Sequence, residues 1–130
     1  MRPRRYAPTD PREWLNRAKS NLAQAKKALP EVYLEDLCFN AQQAVEKAIK
    51  AVFLQHGLKF PHIHDLAQLL TLLEKAGVKI PKFVRKGEEL TRFAVEARYP
   101  GMSGPTTKRE HGKAVRTAEA ILRWCQRKIP

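Results

Sequence analysis

Between Pro30 and Gly57 the chain runs for more than twenty residues without a proline or a glycine, and at its centre lies Leu37-Cys38-Phe39-Asn40-Ala41-Gln42-Gln43-Ala44-Val45-Glu46-Lys47-Ala48-Ile49-Lys50-Ala51. At about 100° per residue, Leu34, Leu37, Ala41, Val45, Ala48 and Val52 fall on one stripe. Cys38, Ile49 and Phe53 widen that stripe to nearly half the circumference, more than one intramolecular groove usually needs. The stretch therefore predicts a long helix over about residues 31–56, ended by Gly57. The extra width points to a second surface. Its simplest form is the same helix of another copy, with Cys38, Gln42, Ile49 and Phe53 at the interface and Ala41, Ala44, Ala48 and Ala51 permitting close approach. Packing under the last helix, or under the loop after Tyr99, is the alternative within one chain. Gln42 sits at the edge of the arc, where an unpaired amide would cost about 1–3 kcal/mol, so it reads as an interface or structural hydrogen-bonder. Gln43, Glu46, Lys47 and Lys50 fall on the opposite face, where such residues are ordinarily solvated and their i,i+4 pairs contribute only tenths of a kcal/mol.

Caps and breakers divide the remainder. Asp10-Pro11-Arg12-Glu13 reads as a helix start, with Asp10 capping, Pro11 in the first turn and Glu13 reaching back. Trp14, Ala18, Leu22, Ala25 and Leu29 then mark one face up to Pro30. A third helix is expected over about 64–76, with Leu66, Leu69, Leu70 and Leu73 inward and Gly77 as its stop. Ile80-Pro81 opens a fourth that carries Phe83, Leu90, Phe93, Ala94 and Ala97, loosened at Gly87 and ended at Tyr99-Pro100-Gly101, because the residue before a proline is pushed out of helical geometry. Thr107-Lys108-Arg109-Glu110 repeats the capping pattern before Ala114, Val115, Ala118, Ile121, Leu122 and Cys125. No alternating run competes as a strand. Short connections favour antiparallel neighbours, so the expected fold is all-α: an up-and-down four-helix bundle with an additional helix. Residues 1–9 form a basic, loose N-terminal arm and residues 10–130 one domain, a length that suits a single core.

The charge balance narrows the partners. Twenty-five Lys and Arg against 13 Asp and Glu leave +12, an excess that concentrates anions, so nucleotides, RNA phosphate or an acidic protein fit, and solubility alone is the bland reading. Aromatic platforms interleaved with the cations are lacking, which argues against a specific single-strand binder. Cys38 and Cys125 fall on apolar helix faces outside any C-x-x-C pair and read as buried free thiols of a reducing, cytoplasmic setting. No apolar run approaches a membrane span, and the basic N-terminus leads into no signal core.

Candidate chemistry is sparse. Arg98, at the end of the fourth helix, suits a helix C-terminus and can also fork onto a phosphate, with Tyr99 beside it. Glu46 and Lys50, together with His64 and Asp65, complete the ligand-binding candidates; Glu46 and Asp65 could act as acids or bases only if the fold brought them together. His62-Ile63-His64-Asp65 is a weak metal signal without a second cluster; the histidines read instead as caps of the third helix, with Asp65 in its first turn. His111 reads as exposed. No metal site or cofactor is expected, and no catalytic triad, glycine-rich phosphate loop or H-E-x-x-H motif is present.

These segments resemble the HEPN family (higher eukaryotes and prokaryotes nucleotide-binding). Asn40 to Ala51 is similar to its second helix, Phe60-Pro61-His62-Ile63-His64-Asp65-Leu66 to the opening of its third, and Ala97-Arg98-Tyr99-Pro100-Gly101 to the end of its fourth. Ala118-Glu119, Ile121-Leu122 and Trp124 fit its last helix, and the likeness spans about residues 10–128. The resemblance implies a helical bundle that usually forms a homodimer, often beside a minimal nucleotidyltransferase as toxin with antitoxin, and in some members a metal-independent ribonuclease. Those ribonucleases carry R-x4-6-H. Here no histidine stands at that spacing from any arginine; after Arg98 the matching positions hold Ser103, Gly104 and Pro105. The chain is closer to the branch bearing R-Y-P. The expected function is a non-catalytic or weakly catalytic HEPN homodimer that binds nucleotide, RNA phosphate or a nucleotidyltransferase. Its rivals are a divergent ribonuclease, with His64 or His111 in place of the missing histidine, and a purely structural adaptor.

Overall fold

The computed structural model describes residues 1–96, 99 and 104–130. Within them all regular structure is helical: α1 (Pro11–Ala25), α2 (Leu34–Gln55), α3 (Leu66–Lys75), α4 (Lys82–Arg85), a 3₁₀ helix (Lys86–Thr91), α5 (Arg92–Glu96) and α6 (Lys108–Lys128). Taking Lys82 to Glu96 as one interrupted rod, this is the expected up-and-down bundle of four helices with an added one. No described helix is long and apolar enough to cross a membrane.

Local chemistry sets most boundaries. The Asp10 carboxylate accepts from Arg12 N at 2.9 Å and opens α1. Thr107 and Glu110 exchange reciprocal hydrogen bonds, a closed capping box at the head of α6. Gly57 (φ 69°) and Gly77 (φ 97°) take the left-handed conformation just beyond α2 and α3. At both ends the two following N–H groups bond back in the Schellman pattern, Leu58 N to Phe53 O and Val78 N to Leu73 O at 2.9 and 3.0 Å.

Three boundaries differ from expectation. α1 stops at Ala25 rather than Pro30, because a proline excludes a continuing helix at the residue before it and collides with the carbonyl four residues back, here Lys26. Leu29 is consequently exposed. α2 begins at Leu34, three residues late, after a turn in which Val32 N bonds Leu29 O. The fourth rod is broken into α4, the 3₁₀ helix and α5. A 3₁₀ helix turns every three residues, which keeps Gly87 and Leu90 in line with Val84 before it and Phe93 after it, all four buried, while Phe83, expected in the core, is exposed. Ala97 and Arg98, expected at the end of the fourth helix, and residues 100–103 lie outside the described residues.

The largest correction concerns α2. It packs against α1, α3, the 3₁₀ helix, α5 and α6, most extensively α1 and α6. Cys38, Gln42, Ile49 and Phe53 are buried within the single chain, so the width of the apolar arc is satisfied without a second copy. The opposite face is not solvated: Glu46 and Lys50 are 3% and 5% exposed, and Gln43 and Lys47 are half-buried.

Both cysteines are free and buried. Burial pushes the Cys38 thiol up from 9.0 to about 12, and it raises that of Cys125 further. Thiolates, not thiols, react with disulfide reagents. Ellman's reagent is therefore expected to leave both untouched in the native protein and to titrate both after denaturation; rapid native labelling would contradict the packing around α2 and α6.

Candidate functional site

Helical spacing stacks Gln42, Glu46 and Lys50 along one edge of α2. The buried Glu46 carboxylate gathers the cluster. Gln42 Nε2 donates to its Oε1 and Lys50 Nζ to its Oε2, each at 3.1 Å. Gln43 Nε2 in turn donates to Gln42 Oε1 at 2.8 Å, so the amide placed at the arc's edge serves as a structural hydrogen-bonder. A buried carboxylate is tolerated because the ammonium and two further donors meet it.

The third donor arrives from the α2–α3 connection. His64 Nδ1 stands 3.1 Å from both Glu46 oxygens. An ionised carboxylate can only accept, so Nδ1 carries the proton and Nε2 is left as the open position of a ring whose side chain is 56% exposed. The anchor for this loop is close by: the Asp65 carboxylate caps α3 through Ala67 N and Gln68 N, and Leu66 N donates to Thr91 Oγ1 at 3.2 Å. Asp65, rather than either histidine, is the cap, and its carboxylate is committed to that role. Asp65→Ala is expected to cost about 1 kcal/mol of stability while leaving the Glu46–His64 contact in place, which a denaturant titration beside the histidine resonances of the variant would check.

Rings crowd the same edge. Phe60 meets Trp14 edge-on at 4.9 Å and His62 at 6.4 Å, and Lys50 Nζ lies 5.2 Å from the Phe60 centroid. The aromatic surface that looked absent in sequence is assembled from residues 46 positions apart. Of the ligand-binding candidates, the structure brings together Glu46, Lys50 and His64. It leaves Tyr99 exposed, and Arg98 lies outside the described residues. His111 is not free: its Nε2 lies 2.7 Å from Ala25 O, tying α6 to the last turn of α1. Among the described residues no three His, Cys, Asp or Glu side chains come together as a metal site would require.

Sequence reasoning missed a second polar assembly. The N-terminal arm is not loose. Tyr6 N donates to Glu13 Oε1 at 2.9 Å, Asn16 Nδ2 to Arg4 O at 3.0 Å and Trp14 Nε1 to Pro8 O at 2.7 Å. Glu13 is spent on this arm instead of on the helix cap. The Tyr6 N–H, followed by the Arg17 guanidinium, holds its carboxyl below the ordinary 4.5. The only sequence signal was the density of arginine in Arg2-Pro3-Arg4-Arg5.

Comparison with known proteins agrees with the geometry. Residues 11–128 match the HEPN domain model. Among solved structures, TT1696 from Thermus thermophilus superposes with a TM-score of 0.80 and 31% identity, over 92% of this chain and 98% of that one. ST0689, described as an archaeal HEPN homologue, superposes with a TM-score of 0.74 and 24% identity, over 93% and 98%. No curated protein matches. With its helical order, bundle and family match in agreement over nearly the whole length, the chain belongs to the HEPN domain family.

Proposed function

We propose that this HEPN protein binds nucleotide or RNA phosphate at the edge formed by His64, Lys50 and Glu46. The observation that carries the reading is the half-exposed His64 ring, fixed through Nδ1 on a buried carboxylate that also holds Lys50, beside which lie the Phe60 and His62 rings, on a chain of net charge +12. A fixed imidazole edge can donate to a phosphate oxygen when protonated, and the neighbouring rings offer surfaces on which a base can stack. Arg98 and the exposed Tyr99 are the further candidates for contact with that ligand. Following the family resemblance, the protein acts in the cytoplasm as a homodimer, paired with a minimal nucleotidyltransferase in a toxin–antitoxin-like system. Fluorescence anisotropy with a labelled single-stranded RNA, and calorimetry with ATP, test the ligand: His64→Ala is expected to weaken binding about tenfold, the worth of one charge-assisted hydrogen bond. Binding indifferent to that change would remove the cluster from the site. Light scattering and co-purification with the neighbouring gene product test the assembly.

A specific observation supports a second reading, a metal-independent ribonuclease. His64, not His111, has the geometry of a base: its Nδ1–H is held by a carboxylate and its Nε2 is open, whereas the His111 ring is bonded to Ala25 O. In such a reaction Nε2 takes the 2′-hydroxyl proton as the 2′-oxygen attacks phosphorus, and the 5′-oxygen leaves with a proton from a second acid. Incubation with RNA in EDTA would give cleavage that His64→Ala abolishes and His111→Ala retains; no cleavage by the wild-type protein leaves binding alone.

A further inference from the structure

The arm, α1 and α2 together border a pocket of about 390 Å³, open to solvent, that the His64 cluster does not use. Its walls carry Arg2, Arg4, Arg5, Arg17 and Lys47, against which stands a single carboxylate, Glu13. That carboxylate is already committed. One oxygen accepts Tyr6 N, and the other accepts Arg17 Nε at 2.7 Å with Arg5 Nη1 at 3.7 Å. Two guanidiniums therefore share one negative charge. Arg2, Arg4 and Lys47 have no carboxylate partner among the described residues, although Arg4 also lies 5.3 Å from the Tyr6 ring centroid.

Four of the five cations are exposed and Lys47 is half-buried, but the elements that carry them are held in place. The arm is held by backbone groups, Arg4 O, Tyr6 N and Pro8 O, so its arginine side chains stand around the cavity without being needed to keep the arm there. Lys47 is aimed by a relay of amides: Asn21 Nδ2 donates to Asn40 Oδ1 at 3.0 Å, which turns Asn21 Oδ1 toward Lys47 Nζ at 2.7 Å. Arg17 uses only Nε on Glu13, which leaves both terminal nitrogens of its fork for another acceptor. A half-buried ammonium beside a guanidinium is uncomfortable; burial, then Arg17, lowers the Lys47 pKa from 10.5. A bound anion would supply the missing counter-charge.

From this convergence of five cations on a cavity of small-molecule size, we infer that the space between the N-terminal arm, α1 and α2 is a binding site for a short oligophosphate, of the size of a triphosphate group. Forked guanidiniums match phosphate oxygens in pairs, and a chain of adjacent phosphates is the common biological anion whose charge equals that left uncompensated here. The site uses different residues from the His64 edge and stands whether or not RNA binds there.

Calorimetry with inorganic tripolyphosphate on the full chain tests it. Saturable binding at one site per chain is expected, weakened about tenfold or more by Arg4→Gln with Arg5→Gln and by Lys47→Gln, since charge-assisted contacts of this kind are each worth that much. Lys75→Gln, which removes one charge as Lys47→Gln does but on α3, is expected to leave affinity within about twofold. The double arginine variant keeps every backbone anchor of the arm, so its folding is secured even where Lys47→Gln perturbs α2; thermal melts of both would confirm this. ATP should compete with tripolyphosphate. No saturable binding, or equal losses in the cavity variants and Lys75→Gln, would overturn the inference. So would a single-stranded RNA that binds through the same arginines and is not displaced by tripolyphosphate, because the groove would then follow a strand.

Discussion

Glu46→Ala is expected to lower stability by about 3–5 kcal/mol, the cost of breaking a buried pair by removing one partner. The Lys50 ammonium, with 6% of its side chain exposed, would lose its counter-ion, Gln42 Nε2 would lose its acceptor inside the core, and His64 would lose the group that fixes its ring. Urea denaturation measures the loss. The complementary variant, Glu46→Leu with Lys50→Met, replaces both charges by apolar groups of similar volume, and such replacements of buried pairs are often neutral or stabilising. Most of the lost stability is therefore expected to return, short of what Gln42 and His64 forfeit. A double variant as unstable as the sum of the two single ones would show that the charges do not act as a pair. The site and the core are thus the same residues, and His64→Ala, which removes an exposed ring, is the cleaner probe of function.

Gly87→Ala is the second large effect. In most helices this change is favourable by about 0.5–1 kcal/mol. Here the added Cβ would overlap Ile121 Cδ1, with Val45 Cγ1 3.9 Å away, in a part of the core where Ile121 and Val45 are wholly buried. Overpacking typically costs about 1–3 kcal/mol, so the net expectation is a loss of about 1–2 kcal/mol, read as a fall in the denaturation midpoint. Ile121→Val removes the colliding methyl. In that background Gly87→Ala should become neutral or favourable, and a loss of equal size in both backgrounds would place the strain elsewhere.

These two residues mark the limit of what periodicity could tell. At a uniform 3.6 residues per turn Phe83 reads as core and Val84 and Gly87 do not, because the rod passes from α-helical winding at Lys82–Arg85 to three residues per turn at Lys86–Thr91. Glu46 and Lys50 read as solvated for a related reason: a wheel shows which residues share a face, not whether that face has a neighbour. Leu66, Leu69, Leu70 and Leu73, by contrast, were legible as core, and all are fully buried. Of the candidate site, the sequence supplied the residue types, with Arg98 and Tyr99 among them, and the resemblance set them in an R-Y-P segment. The contact between positions 46 and 64, and the cavity joining positions 2–5 to 17 and 47, were not readable, since no local rule links residues so far apart.

The sequence by itself determined the helical class, the order of the helices and most of their ends, because caps, prolines and left-handed glycines act within a turn or two of where they stand. Only the tertiary structure decided that the longest helix would be buried over most of its surface, that a glutamate on it would hold a histidine from the next loop, and that an arginine-rich arm would lie along α1. Those outcomes depend on desolvation and on pairing across the bundle, and a charge enters the interior only where the completed fold supplies its partners.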